Sequence, residues 1–230
     1  MSVDKNIVLH YNFFLFVVCL ILFPFYGSTM APGFELLKLV LQWPPSFCSQ
    51  TNANCKRTPL PLKFTIHGLW PDNKSQELNR CSSSFVFKIN GKLAKQLDKS
   101  WTNLQEPYQV KPVDNFWKHE WDKHGTCSSN VYSPTAYFKE GLVLKRRSNV
   151  LRVLGEKSLT PGKLVDVYDV NRTITEGIGG VPILKCPKDL LTEVIICFDS
   201  TATSVIDCPL PLFHNPCPQK EVDFPRSVKP

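Results

Sequence analysis

The sequence predicts an α+β fold, on three observations. Short runs rich in branched apolar residues, bounded by proline or glycine, read as strands. Two longer stretches carry apolar residues at helical spacing. Strands and helices follow one another without the regular alternation that a parallel α/β sheet requires. In chain order, "ELLKLVLQW" (Glu35 to Trp43) is a strand that ends at Pro44-Pro45. "LKFTIHGLW" alternates, with Leu62, Phe64 and Ile66 on one face and Lys63, Thr65 and His67 on the other. Helical spacing covers residues 90–104 and 135–153, and Asp114 to His124 reads as a further helix, with Asp114 as N-cap and Gly125 as its stop. "KLVDVYDV" (Lys163 to Val170) and "LTEVIICFD" (Leu191 to Asp199) read as strands.

The chain opens with an apolar run, Phe13 to Tyr26, behind a short region holding Lys5 and ahead of Gly27, Ser28 and Ala31. The run is shorter than the ~20 residues of a spanning helix, and its small-residue exit fits a secretory signal peptide rather than a membrane anchor or core helix. Residues 1–30 are assigned to that signal, with cleavage expected within 27–33, and residues 31–230 to a single domain. Of nine cysteines, Cys19 lies in the apolar run. The other eight form an even set, as four disulfides of a secreted protein require. Two sequons, Asn73-Lys74-Ser75 and Asn171-Arg172-Thr173, agree with export and glycosylation. A net charge of +7 favours polyanionic partners, among them nucleic acid, acidic glycans and cell-wall polymers, without choosing between them.

The stretch "FWKHEWDKHGTC" (Phe116 to Cys127) concentrates titratable groups. Wound as a helix, it brings Phe116, His119, Glu120, Lys123 and His124 onto one arc, while Trp117 and Trp121 face the core beside it. Zinc is disfavoured. The His-Glu-x-x-x-His spacing is one residue longer than the metal-binding HExxH, so the imidazoles diverge around the helix, and Lys123 repels a cation. No cofactor is expected. His67, on the polar face of its strand before Gly68, offers a partner from elsewhere. A basic protein with convergent histidines and a lysine suits phosphodiester transfer to an internal hydroxyl. One imidazole takes the proton of a ribose 2′-OH and another protonates the departing 5′-oxygen. An imidazole pKa of about 6.5 makes both forms accessible. A lysine stabilises the charged phosphorane.

"FTIHGLWPD" and "FWKHEWDKHGTC" resemble the two active-site segments of the ribonuclease T2 family, and "LQWPPSFC" resembles its opening strand. The similarity continues through "LTEVIICFD" and "VIDCP". The resemblance implies a ribonuclease T2-like fold with a central antiparallel sheet and surrounding helices. It implies His67 as main general base and His124 as general acid, roles that could be exchanged or shared. His119 would bind the phosphate, Glu120 and Lys123 would stabilise the charged intermediate, and Gln42, Trp70 and Phe116 would line the base and phosphate sites. It also implies the bridges Cys48–Cys55, Cys81–Cys127, Cys186–Cys217 and Cys197–Cys208. Ser128 stands where some relatives carry a further cysteine.

Within the family the chain looks most like the plant S-type ribonucleases of self-incompatibility, on its basic charge and on "LTEVIICFD" and "TATSVIDCP". That implies a secreted, monomeric endoribonuclease of single-stranded RNA, without stable membrane association. It would release 2′,3′-cyclic phosphates, and pollen F-box-type recognition proteins would be its partners. The segment Asn73 to Trp101 would hold the surface that specifies the allele. The alternatives are a basic S-like ribonuclease for defence or phosphate recycling and, outside the enzymes, a secreted recognition or storage protein. Retention of both His67 and His124 disfavours the last.

Overall fold

The computed structural model describes residues 33–107, 115–209 and 216–229. The signal segment, the N-cap assigned to Asp114 and His214 lie outside them. Five strands form an antiparallel sheet in the order β2-β1-β5-β4, with β6 pairing β5. These are β1 (Leu36–Gln42), β2 (Thr65–Asp72), β4 (Ile183–Lys185), β5 (Glu193–Asp199) and β6 (Val205–Ile206). A two-stranded ribbon of β3 (Lys163–Asp166) and β7 (Glu221–Phe224) stands apart from that sheet.

β1 is almost wholly apolar because both its faces are covered. Leu37, Leu39 and Leu41 enter the main core, whereas Leu36 and Val40 join Ile183, Ile195 and Cys197 in a smaller cluster on the opposite face. The main core takes its bulk from Trp43, Trp101, Trp121, Tyr137 and Phe138, all buried. Leu62, assigned to an apolar face, is exposed, because β2 begins only at Thr65.

Among the described residues, six α-helices pack around the sheets. After β1, Pro44 and Pro45 occupy the first turn of the short α1 (Pro44–Cys48), where a missing N–H costs nothing. In α2 (Gly91–Ser100), Asn90 caps by accepting from Leu93 N at 2.9 Å, and Leu93, Ala94 and Leu97 form the buried stripe. This helix stops short of residue 104, because Trp101 leaves helical geometry and buries its ring. α3 (Asn115–Lys123) buries Trp117, Glu120 and Trp121.

The stretch 135–153 is not one helix. α4 (Pro134–Arg147) ends at Ser148, and Asn149 caps a new helix, α5 (Val150–Glu156). "KLVDVYDV" is a strand only to Asp166. The Asp166 carboxylate accepts from Asp169 N at 3.1 Å, and this cap turns Val167 and its successors into α6 (Val167–Ile178). α6 ends on Gly179, whose φ of 99° is open to glycine at little cost.

Gly125 plays a different part from the stop assigned to it. It opens a 3₁₀ turn, Gly125–Ser128, and a Cβ there would lie 2.4 Å from the Trp121 ring. Glycine is required for close packing. The disulfides are Cys48–Cys55, Cys81–Cys127, Cys186–Cys217 and Cys197–Cys208. Cys81–Cys127 ties the loop after β2 to that 3₁₀ turn. Buried Ser128 donates to Gly125 O at 2.8 Å, a local bond in place of any bridge. Among the described residues no helix is long and apolar enough to cross a membrane.

Candidate active site

The site is built where β2 departs from regular pairing. Val40 pairs Gly68 and Leu41 pairs Ile66, which leaves His67 as an extra residue, a β-bulge in β2. Its carbonyl, turned out of the ladder, accepts from the Trp101 indole at 2.8 Å. The bulge breaks the strict alternation of the strand. Ile66 and Leu69 both enter the main core, while Trp70 packs on the other face.

On that face, Gln42 of β1 lies directly opposite Glu193 of β5, which lies opposite Lys185 of β4. His67 Nδ1 is 2.6 Å from one Glu193 carboxylate oxygen, and Lys185 Nζ is 2.9 Å from the other. Nδ1–H therefore donates to the carboxylate, and Nε2 is the ring nitrogen left for proton transfer. Glu193 is a residue that sequence reasoning passed over. A lone carboxylate inside the apolar run "LTEVIICFD" was the available signal, since a buried charge needs a partner.

α3 supplies the opposite wall. The buried Glu120 carboxylate accepts from the Trp70 indole at 3.1 Å. The Trp70 ring stacks on His124, with centroids 4.6 Å apart and planes inclined by 21°. It meets His67 edge-on at 5.5 Å and carries Lys185 Nζ 5.4 Å from its centroid. Phe116 lies beside the His67 ring at 6.3 Å, tilted 27°. Lys123 is half-buried and His119 exposed, and the charges of both act on Glu120 and His124. His67, Gln42, Trp70, Phe116, Glu120 and His124 are thus gathered from two strands, from α3 and from the residue that follows α3, with His119 and Lys123 at the rim.

The two inner histidines are electrically unlike. Burial pulls the His67 pKa down, but its hydrogen bond to Glu193 and the charges of Glu193 and Glu120 outweigh that and leave it raised. Burial pulls His124 down to about 3, helped by the positive charges of Lys123, His67 and His119. Glu193, despite burial, is held down at about 2 by His67 and Lys185. Burial raises Glu120 against the pull of His67, Trp70, His119 and Lys123. One imidazole is thus poised protonated and the other neutral over the same acidic-to-neutral range. Opposed pKa values of this kind separate an acid from a base.

Gly68 makes the junction of strand and helix possible. A Cβ there would lie 2.0 Å from Trp70 Nε1 and 2.5 Å from Glu120 Oε2. Gly68→Ala is expected to break the Trp70–Glu120 hydrogen bond and to lower both the melting temperature and RNA cleavage. Unchanged melting and turnover would show that the two side chains move aside freely.

An antiparallel sheet carrying a bulged histidine is faced by a helix that supplies a buried carboxylate and, at its end, a second histidine, an arrangement able to hold and move protons. The chain belongs to the ribonuclease T2 family, whose sequence profile matches residues 34–208. It is 48% identical over 219 residues to Ribonuclease S-2 of Antirrhinum hispanicum, covering 94% of this chain and 92% of that one. It is 41% identical to Ribonuclease S-7 of Nicotiana alata, covering 92% of this chain and 96% of the relative. The fold is similar to the crystal structure of the SF11-RNase of Nicotiana alata, which is associated with gametophytic self-incompatibility. The TM-score is 0.75 at 33% identity, over 84% of this chain and all of that one.

Proposed function

We propose that the chain is a secreted endoribonuclease of the pistil self-incompatibility type, cleaving single-stranded RNA through a 2′,3′-cyclic phosphate. The observation that carries the chemistry is the pairing of a raised His67, bonded to Glu193, with a depressed His124 in one site. His124, neutral, accepts the 2′-OH proton as that oxygen attacks phosphorus. His67, protonated, gives its proton to the leaving 5′-oxygen. The base and acid assigned from the resemblance are thereby exchanged, because a base must be neutral and an acid protonated at the pH of reaction. Lys123 and His119 meet the non-bridging phosphate oxygens. Glu120 anchors Trp70 and balances the surrounding positive charge. Gln42 and Phe116 line the subsites for phosphate and base, and an aromatic ring suits stacking of an unpaired base.

The self-incompatibility role draws on the likeness to S-ribonucleases over 92–94% of the chain. It is supported by the loop after β2, where Phe85 is 44% and Val86 86% exposed. Apolar side chains offered to solvent there suit docking of a pollen recognition protein of F-box type. Secretion through the N-terminal signal and glycans at Asn73 and Asn171 complete the proposal. Asn73 sits in the turn that follows β2, whereas Asn171 lies in α6 with Thr173 buried, so its glycan must be added before that helix packs.

The test is digestion of single-stranded RNA by the purified mature protein in EDTA. Full activity with 2′,3′-cyclic phosphate ends is expected. Direct release of 5′-phosphates, or loss of activity restored by a divalent metal, contradicts the mechanism.

A further inference from the structure

On the side of the sheet opposite Glu193 and Lys185, a cavity of about 590 Å³ opens between α2, α4 and α5. Its volume lies within the range of small-molecule sites. Phe64 and Leu142 form an apolar floor, and Lys63, Lys99, Lys145 and Arg146 line the walls. No acidic side chain among the described residues pairs with any of these four cations. Ser148, 2% exposed, lines the same cavity, and its hydroxyl has no hydrogen-bond partner.

The Ser148 hydroxyl is buried without a partner, and half-buried Lys145 faces the charge of Lys63 without a counter-ion. Both arrangements are costly, whereas Lys63, Lys99 and Arg146 are exposed to solvent. One group removes both costs: an anion with several acceptor oxygens. Carboxylates have two oxygens, whereas a phosphate has three or four and accepts from ammonium, guanidinium and hydroxyl at once. Burial, and after it the nearby charge of Lys63, lowers the Lys145 pKa to about 8.

We propose that this cavity is a second anion site, taking a phosphate group, free or as a monoester, between Lys63, Lys99, Lys145, Arg146 and the Ser148 hydroxyl. The site is separate from the catalytic groups and does not depend on their assignment. Its apolar floor leaves room for the organic body of a monoester.

The experiment uses the mature protein and reads out Lys145 itself. Lysines are acylated at pH 8 and quantified by peptide mass spectrometry, with no addition, with inorganic phosphate, with a nucleoside 3′-monophosphate, and with sodium chloride at matched ionic strength. Lys145 labelling is expected to fall about tenfold under saturating phosphate, while exposed Lys74 is unchanged. The same protection is expected in His124→Ala, which separates this site from the catalytic one. Equal protection by both ligands identifies the free ion as occupant, and stronger protection by the monoester identifies an organic phosphate. Either result supports the site. Equal labelling with and without phosphate, or equal protection by chloride, overturns it. Lys145→Gln/Arg146→Gln is expected to cleave RNA as the wild type does, yet to bind one phosphate fewer per chain by equilibrium dialysis. An unchanged stoichiometry in that variant also overturns the proposal.

Discussion

His124→Ala is expected to lower kcat/KM for single-stranded RNA by about 10²–10⁴-fold, the usual contribution of a positioned general base or acid. His67→Ala is expected to do the same. Neither imidazole fills the main core. His124 covers one face of Trp70, and His67 projects from a bulge whose carbonyl is held by Trp101. Both variants should therefore fold and form their four disulfides, as checked by circular dichroism and thiol titration. Glu193 keeps Lys185 as partner when His67 is removed, so no buried charge is stranded. Near-normal cleavage by either variant would sink the acid–base pair.

The second large effect falls on Glu193. In the wild type, the base works only when neutral, so kcat/KM falls as pH drops towards the His124 value of about 3. The acid works only when protonated, so kcat/KM falls as pH rises through the His67 pKa, which lies above its ordinary 6.5. Glu193→Gln removes the charge that holds His67 up and leaves burial to pull it down. The alkaline limb should move to lower pH by about 1–3 units, with kcat/KM at pH 7 reduced by about tenfold or more. The acid limb should remain in place, because Glu193 is not among the groups that shift His124. A general loss of activity at every pH with an unmoved alkaline limb would reduce Glu193 to a structural residue.

The same pair links stability to pH. Glu193, lowered from 4.5 to about 2, stabilises the fold above pH 4.5, and that contribution is lost as pH falls towards 2. His67, raised above 6.5, stabilises below pH 6.5 and loses its contribution as pH rises through its folded pKa. The ion pair therefore contributes most between pH 4.5 and 6.5.

Local pattern carried much of this architecture. Pro44-Pro45 after "ELLKLVLQW" ended β1, and apolar spacing located α2 and α4. The periodicity of "FWKHEWDKH" set Trp117 and Trp121 into the core beside the titratable arc. Where the reading failed, a short-range bond had competed with the pattern. The Asp166 cap converted the second half of an apparent strand into a helix, and Asn149 split one helical stretch into two.

By itself, then, the sequence determined the α+β class, the two histidine segments, the even set of cysteines and the family, because each is written in residue type and short spacing. Only the tertiary structure decided which histidine is raised and which is depressed. That difference comes from desolvation and from charges brought in over long separations. Glu193 lies 126 residues from His67, and the bulge that aims His67 at it exists only when β1 and β2 pair. The unpaired cations around Ser148 belong to the same category. Lys63 and Lys145 are far apart along the chain, and only packing of α4 and α5 against the sheet turns them into one cavity.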